Sequence, residues 1–408
     1  MKVAACIDDL RRIAKRRVPR AFFDYADSGS YSEQTLRANR ADLEAIILKQ
    51  RVLVDVSARD LTTTVLGKTL AAPMIHAPIG LLGMQHGDGE ILAARAANEA
   101  GIPFTLSTMS IGSIEHVAEG TGKPFWFQLY VIKDRNFSKQ LMDRAIAAKV
   151  DTLVLTVDLQ VLGQRHRDVH NGLTVPPQFK IKNVIDIATK PLWAWNVLKG
   201  KSKTFGNISG HVPGMESVNS LSGWTQQQFD PALNWKDVEW IKKYWPGKLI
   251  IKGILDTDDA KMAVKLGADA IVVSNHGGRQ LDGTSSSIAM LPRVVDAVGG
   301  DTEILFDGGI RTGADILRAL ALGARACMVG RAFVWGLGAG GQEGVAKAID
   351  ILKKELSVTM ALTGVGRISD IDGRVIEGGE ARKKPAAATA RKPRAKASQK
   401  TATAKAAE

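Results

Sequence analysis

The stretch Ser-Asn-His-Gly-Gly-Arg-Gln-Leu-Asp (274–282) sets a histidine three residues before an arginine, at the end of a short apolar run. An imidazole in that position can accept a proton near neutral pH. Arg279 can grip a carboxylate through its planar fork of donors. Asp158 ends another apolar run and can hydrogen-bond His276 and stabilise its protonated form, and Arg165 follows in the same segment. A second group prefers anions of a different kind. Gly308-Gly309 leaves backbone N–H groups open to close approach, and Arg311 and Arg331 can pair with phosphate oxygens. Alone, the histidine reads equally well as a packed structural residue, and the glycines as tight turns beside surface arginines. Beside Arg279, Asp158 and Arg165, the bland reading of His276 loses.

Something must bring these residues to one place. From residue 73 onward, eight short apolar runs alternate with helical stretches: 73–78, 102–107, 125–130, 152–158, 248–253, 270–275, 303–309 and 326–331. Runs without polar alternation suit strands buried on both faces, as in a parallel sheet. Segments 88–100, 138–149 and 256–266 repeat apolar residues at helical spacing, and glycines 101 and 267 stand where helices stop. Eight such units fit an α/β fold, the (β/α)8 TIM barrel. The competing doubly wound sheet is disfavoured because no GxGxxG follows the first run.

Barrel sites lie beyond the C-terminal ends of the strands. Those ends carry Gly80, Ser107, Gln128, Tyr130, Thr156, Asp158, Lys252, Ser274, His276, Asp307, Gly309, Arg311, Gly330 and Arg331. Polar groups at the same end of nearly every strand are the strongest signal that owes nothing to family likeness. Residues 8–45 read as an N-terminal helical segment around a loop at 24–30. About 170–234 is a long insertion after the fourth barrel strand, with a helix expected at 235–246. Within it, KPLWAWNVLKGKSK (190–203) sets Trp193 and Trp195 among lysines, which suits either a membrane interface or a lid or subunit contact.

The net charge of +13 is uneven. Residues 381–408 hold nine basic residues against one acid, so +8 belongs to a Lys/Ala/Pro-rich tail expected to be disordered, and a barrel domain over 1–380 carries the rest. Specific nucleic-acid binding is therefore not expected, although such a tail could attract polyanions or anionic lipid. No run is long enough to span a membrane, and no signal peptide is expected. Two cysteines make no disulfide framework, and Cys327 reads as core. The remaining histidines lack metal-ligand spacing, so no metal is expected; His76 reads as core.

The motifs SNHGGRQLD (274–282), DGGIRTG (307–313), FQLYV (127–131), LTVD (155–158) and FDYADSG (23–29) appear in one order. Together they resemble the FMN-dependent α-hydroxy-acid dehydrogenases and oxidases over roughly residues 5–378. The resemblance implies FMN as cofactor and a small 2-hydroxy acid, with L-lactate to pyruvate the expected reaction. It implies His276 as the base paired with Asp158, Arg279 and Arg165 on the substrate carboxylate, and Tyr25 and Tyr130 on the carboxylate and the reacting hydroxyl. Lys252 would lie at the flavin N1/O2 edge, Ser107, Gln128 and Thr156 would hydrogen-bond the ring, and Arg311, Arg331, Gly309 and Gly330 would hold the phosphate. Met109 stands where some relatives carry tryptophan, Leu159-Gln160 replaces a commoner sequence, and 83–90 is less basic than in the respiratory lactate enzymes. These departures leave the substrate side chain open. With no cytochrome segment before the barrel, a flavocytochrome architecture is not expected. PLWAWNVLKG (191–200) with Gly206-Asn207-Ile208 resembles a membrane-contacting loop. That favours quinone as acceptor and a peripheral site on the cytoplasmic side of the inner membrane, over a soluble oxidase that makes hydrogen peroxide. The likeness also implies a homo-oligomer, with a tetramer the expected form.

Overall fold

Residues that are apolar on both sides of a strand need partners on both sides. In the computed structural model, which describes residues 4–173, 178, 180–209 and 227–380, the chain meets that need by closing a barrel. An antiparallel hairpin, β1 (Thr63–Val65) and β2 (Lys68–Leu70), comes first. The eight apolar runs then form β3 (Met74–His76), β4 (Thr105–Ser107), β5 (Trp126–Leu129), β6 (Thr152–Thr156), β7 (Lys248–Ile254), β8 (Ala270–Val273), β9 (Glu303–Asp307) and β10 (Ala326–Val329). They lie in the order β3-β10-β9-β8-β7-β6-β5-β4, all parallel. A parallel bridge from His76 to Phe104 joins the two ends.

Alternate residues sort into two cores. Ile75, Trp126, Val154, Ile250, Val272, Leu305 and Met328 pack with one another inside the barrel, together with Val65 and Leu70 of the hairpin. The hairpin therefore stoppers the inner core. Met74, Leu153, Leu155, Ile251, Val273, Phe306 and Cys327 belong to the other core, shared with the helices. Burying each such side chain is worth about 1.5–3 kcal/mol. His76 and Cys327 are core residues, fully buried as expected.

The helices are α1 (Ile7–Arg17), α2 (Arg20–Asp27), α3 (Gln34–Ala45), α4 (Gly89–Glu99), α5 (Ile114–Thr121), α6 (Arg135–Ala147), α7 (His166–His170), α8 (Ile181–Ala188), α9 (Pro191–Lys199), α10 (Trp235–Tyr244), α11 (Thr257–Lys265), α12 (Ser287–Val298), α13 (Gly313–Ala321) and α14 (Arg331–Leu362). Their starts carry side-chain caps where the sequence offers them: Asp134 for α6, Asp256 for α11 and Asn234 for α10.

The expected loop at 24–30 is helical as far as Asp27, because Asp24 to Asp27 complete α2 and the Ser28 N–H donates back to Asp24 O. This N-terminal segment belongs to the barrel mouth. Ser30 N–H donates to Gly278 O at 2.9 Å, and the side-chain amides of Asn39 and Asn275 donate to each other's oxygens at 2.9 and 2.8 Å. Part of the insertion is described as α8 and α9, with α7 leading into it. Its next residues return to the barrel, where buried Asn207 accepts from Ile114 N–H and donates to Ser107 O and Ser110 Oγ. The 381–408 tail lies outside the described residues.

Candidate active site

A cavity of about 390 Å³ opens at the C-terminal ends of the strands. Its lining gathers Tyr25, Gly80, Ser107, Tyr130, Arg165, Lys252, His276, Arg279, Asp307, Gly309, Arg311, Gly330 and Arg331. Gln128, Thr156, Ser274 and Asp158 are not on that lining. They are neighbours of it in the strands and loops, and the first three are buried.

His276 stands on an unusual backbone. It has φ 58°, and Gly277 and Gly278 follow at 66° and 74°. Two glycines tolerate this conformation, but a histidine in it is strained, as functional residues often are. The Ser274 hydroxyl accepts from the His276 N–H at 3.1 Å and from Lys252 Nζ at 3.1 Å, and donates to Asp307 Oδ2 at 2.8 Å. One serine thus fixes the histidine, the buried lysine and an acid.

His276 Nδ1 and Asp158 Oδ1 are 2.9 Å apart. Burial pushes the His276 pKa below its ordinary value, with Asp158 pulling the other way and Lys252 and Arg279 adding to the fall. Burial pushes the Asp158 carboxyl up, but His276 and Lys252 outweigh it and hold the group ionised. An ionised Asp158 requires the proton on Nδ1, which leaves Nε2 as an open acceptor. Gly253 makes this contact possible, because it has φ 107° and a Cβ there would lie 2.7 Å from Asp158 Cγ.

Two guanidiniums stand over one ring. Arg279 and Arg165 lie 4.8 and 5.2 Å from the centre of Tyr25. Arg279 also donates to the backbone oxygens of Tyr25 and Ser28. Arg165 pairs with Asp168 Oδ2 at 3.2 Å. Tyr130 meets Phe229 edge-on at 5.8 Å, and burial raises its pKa so that the phenol stays protonated.

The other pair behaves like a site short of an anion. Arg331 donates to the backbone oxygens of Ala26, Gly277 and Ser28, and Arg311 lies 4.5 Å from the centre of the Trp335 ring. Burial, with repulsion from Arg311 and Arg279, pulls Arg331 down to about 9. Burial, with repulsion from Arg40, pulls Arg311 down to about 10. Gly309, φ 93°, leaves only 2.5 Å between a would-be Cβ and Asn39 O, so no side chain fits there. Gln128 Nε2 and Thr156 Oγ1 are buried without a protein partner among the described residues. A planar polar ring carrying a phosphate would satisfy both sets.

Residues 14–378 match the sequence pattern of the FMN-dependent dehydrogenase family. The chain belongs to that family. Its cofactor is FMN, and the unpaired donors and unneutralised arginines just described suit it. Family relatives include the L-lactate dehydrogenase of Haemophilus influenzae, 51% identical over 90% of this chain and 97% of that protein. The L-lactate dehydrogenase of Actinobacillus pleuropneumoniae is 50% identical over 90% of this chain and 97% of that protein. Among solved structures, the monotopic membrane protein (S)-mandelate dehydrogenase matches with a TM-score of 0.87 at 36% identity, covering 92% of this chain and 99% of that one. A mandelate oxidase with (S)-4-hydroxymandelic acid matches with a TM-score of 0.79 at 36% identity, covering 91% and 98%.

Sequence reading missed several residues of this site. Asp168 is buried, lines the cavity beside Arg165 and has raised pKa through burial. The Arg165-x-x-Asp168 spacing, one helical turn, was its only signal. Phe22, Phe229, Leu162 and Leu173 form much of the apolar wall, and they come from segments distant in sequence.

Proposed function

We propose that the protein oxidises L-lactate to pyruvate with FMN and passes the electrons to a membrane quinone. The observation that carries the chemistry is the His276–Asp158 pair, opening into the same cavity as Arg165, Arg279, Tyr25 and Tyr130. Relatives named L-lactate dehydrogenase at about half identity support the choice of substrate.

In this reading Arg279 and Arg165 clamp the substrate carboxylate, and Arg165 exchanges part of its contact with Asp168 for it. The Tyr25 and Tyr130 hydroxyls orient the carboxylate and the reacting hydroxyl. His276 Nε2 accepts one proton from the substrate, and Asp158 stabilises the imidazolium that results. FMN, when bound, would supply the acceptor for the two electrons and the second proton. Lys252, which is buried, would supply positive charge to the reduced flavin. Ser107, Gln128 and Thr156 would hydrogen-bond the flavin ring, while Arg311 and Arg331, with the Gly309 and Gly330 backbone, would hold the phosphate. Met109, Leu159 and Phe229 leave an apolar wall suited to a short side chain.

The insertion supports the choice of acceptor. Ile181, Val184 and Ile185 of α8 and Leu192, Trp195 and Leu198 of α9 are each more than half exposed. No helix among the described residues is long and apolar enough to cross a membrane. Such a face suits shallow insertion from one side, and we assign it to the cytoplasmic face of the inner membrane. Trp193 of α9 stacks on Phe22, a cavity wall, at 5.4 Å. The contact joins the proposed membrane face to the site. A soluble oxidase is the second reading, favoured by the likeness to mandelate oxidase.

The purified protein should be yellow and its flavin band should bleach anaerobically with L-lactate. His276→Ala should keep FMN and lose reduction by about 10²–10⁴-fold. Normal reduction of that variant would overturn the base assignment. Faster turnover with oxygen than with a soluble quinone analogue would favour the oxidase.

A further inference from the structure

A second cavity, of about 190 Å³, lies between the end of α1, the loop after β3 and the start of α9. Arg16 and Arg17 enter it from the last turn of α1, and Lys190 from the residue before α9. Among the described residues, no acidic side chain lines it. The carboxylates of α1 and α2 are engaged elsewhere, Asp8 and Asp9 with Arg12, Asp27 with Arg11 and Asp24 with Arg20. The wall is built rather than loose. His86 Nδ1 lies 2.9 Å from Gly87 O and Nε2 lies 3.2 Å from Asn196 Nδ2, so both ring nitrogens are held. The Trp193 indole donates to Met84 O at 2.9 Å, and Arg17 donates to Ala339 O. The cavity thus offers three unneutralised cations on a fixed frame, and exposed Leu192, on the same helix as Trp195 and Leu198, is part of its rim.

Cations flanked by exposed apolar side chains complement one kind of molecule: an anionic head joined to hydrocarbon. We propose that this cavity binds the phosphodiester headgroup of an anionic phospholipid, with the acyl chains lying beside Leu192, Trp195 and Leu198. The inference rests on reading α8 and α9 as the membrane contact. It adds that this contact distinguishes lipids by charge at a defined place. A polyanion without chains would gain nothing from the apolar rim, and a neutral lipid nothing from the arginines.

The test uses the full chain with FMN bound, and reads the bound fraction by flotation. One set of vesicles is phosphatidylcholine alone; the other is phosphatidylcholine and phosphatidylglycerol in equal parts. The double variant R16Q with K190Q is compared with K15Q with K182Q. The second pair removes the same charge from exposed lysines that do not line the cavity. Both variants should bleach with lactate like the parent, which checks folding. The parent should bind mixed vesicles at least about tenfold more tightly than neutral ones. The cavity pair should lose that preference and fall about tenfold or more below the lysine pair, with neutral vesicles bound equally by all. Equal losses from the two pairs would mean diffuse charge and would overturn the proposal while leaving the membrane reading intact. So would a preference abolished by excess inorganic phosphate but not by chloride at the same ionic strength, since the cavity would then take a free anion. Failure of the parent to bind either vesicle would overturn the membrane reading, and this proposal with it.

Discussion

Gly253 sits where no other residue fits against Asp158. A methyl group on it would lie 2.7 Å from both Cβ and Cγ of the aspartate, and its backbone has φ 107°. The same position is where β7 shifts register against β8, between Lys252 and Ile254. A single glycine therefore seats Asp158 against the His276 it is proposed to assist, and places Lys252 just before the bulge. Gly253→Ala should displace Asp158 from His276 and slow anaerobic flavin reduction by about 10²-fold, with FMN still bound. A reduction rate equal to the parent's would show that the close approach is irrelevant.

The pH profile should carry the signature of a buried, neutral imidazole. His276 lies below the ordinary imidazole pKa, and only the neutral ring can accept a proton. The acid limb of kcat/KM should therefore fall below about pH 6.5 rather than at it. Asp158→Asn removes the anion that raises the His276 pKa. Its acid limb should move to still lower pH, while the rate at neutral pH drops about 10²–10⁴-fold. A limb that shifts upward would mean that Asp158 does not face the titrating group.

Arg311 lies deep in the site with its charge stacked on Trp335 and unpaired with a carboxylate among the described residues. If phosphate is its partner, Arg311→Gln should weaken FMN binding by about 10–100-fold and leave kcat at saturating FMN nearly unchanged. Titration of the apoprotein with FMN, followed by flavin fluorescence, reads this directly. Unchanged affinity would place the phosphate elsewhere.

His76 offers a stability test remote from chemistry. It is fully buried between the rings of Phe104 and Phe333, and burial lowers its pKa to about 4. The unfolded chain takes up this proton near pH 6.5 and the folded chain only near pH 4. The contribution is therefore complete above pH 6.5 and is lost as pH falls from 6.5 to 4. The loss amounts to about 3 kcal/mol. Relative to the parent, His76→Gln should show a flatter dependence of unfolding free energy on pH in that window. Parallel curves would mean that the ring charges without cost.

The barrel was legible because its strands are apolar on both faces. All eight runs became strands, and the helices at 88–100, 138–149, 235–246 and 256–266 formed close to where periodicity placed them. The site was legible for a related reason, since strand ends fix where polar residues converge. What stayed hidden was mostly tertiary. The β1–β2 hairpin was overlooked because its role, filling the barrel with Val65 and Leu70, depends on residues far along the chain. Asp168 and Phe22 carry no local pattern that marks them as cavity wall. Gly253 lay inside an ordinary apolar run, and its importance appears only when Asp158 arrives from the neighbouring strand.

The residues that would meet the substrate's variable end do not share segments with the proposed base. Met109 and Gly80 follow β4 and β3, Leu159 and Leu162 follow β6, and Phe229 comes from the insertion, whereas His276 and its serine hub follow β8. Appetite and reactivity are thus written largely on different pieces of chain, which meet after β6, where Leu159 adjoins Asp158. A substitution at Met109 or Phe229 can therefore change which acid fits without moving His276 or the serine that holds it.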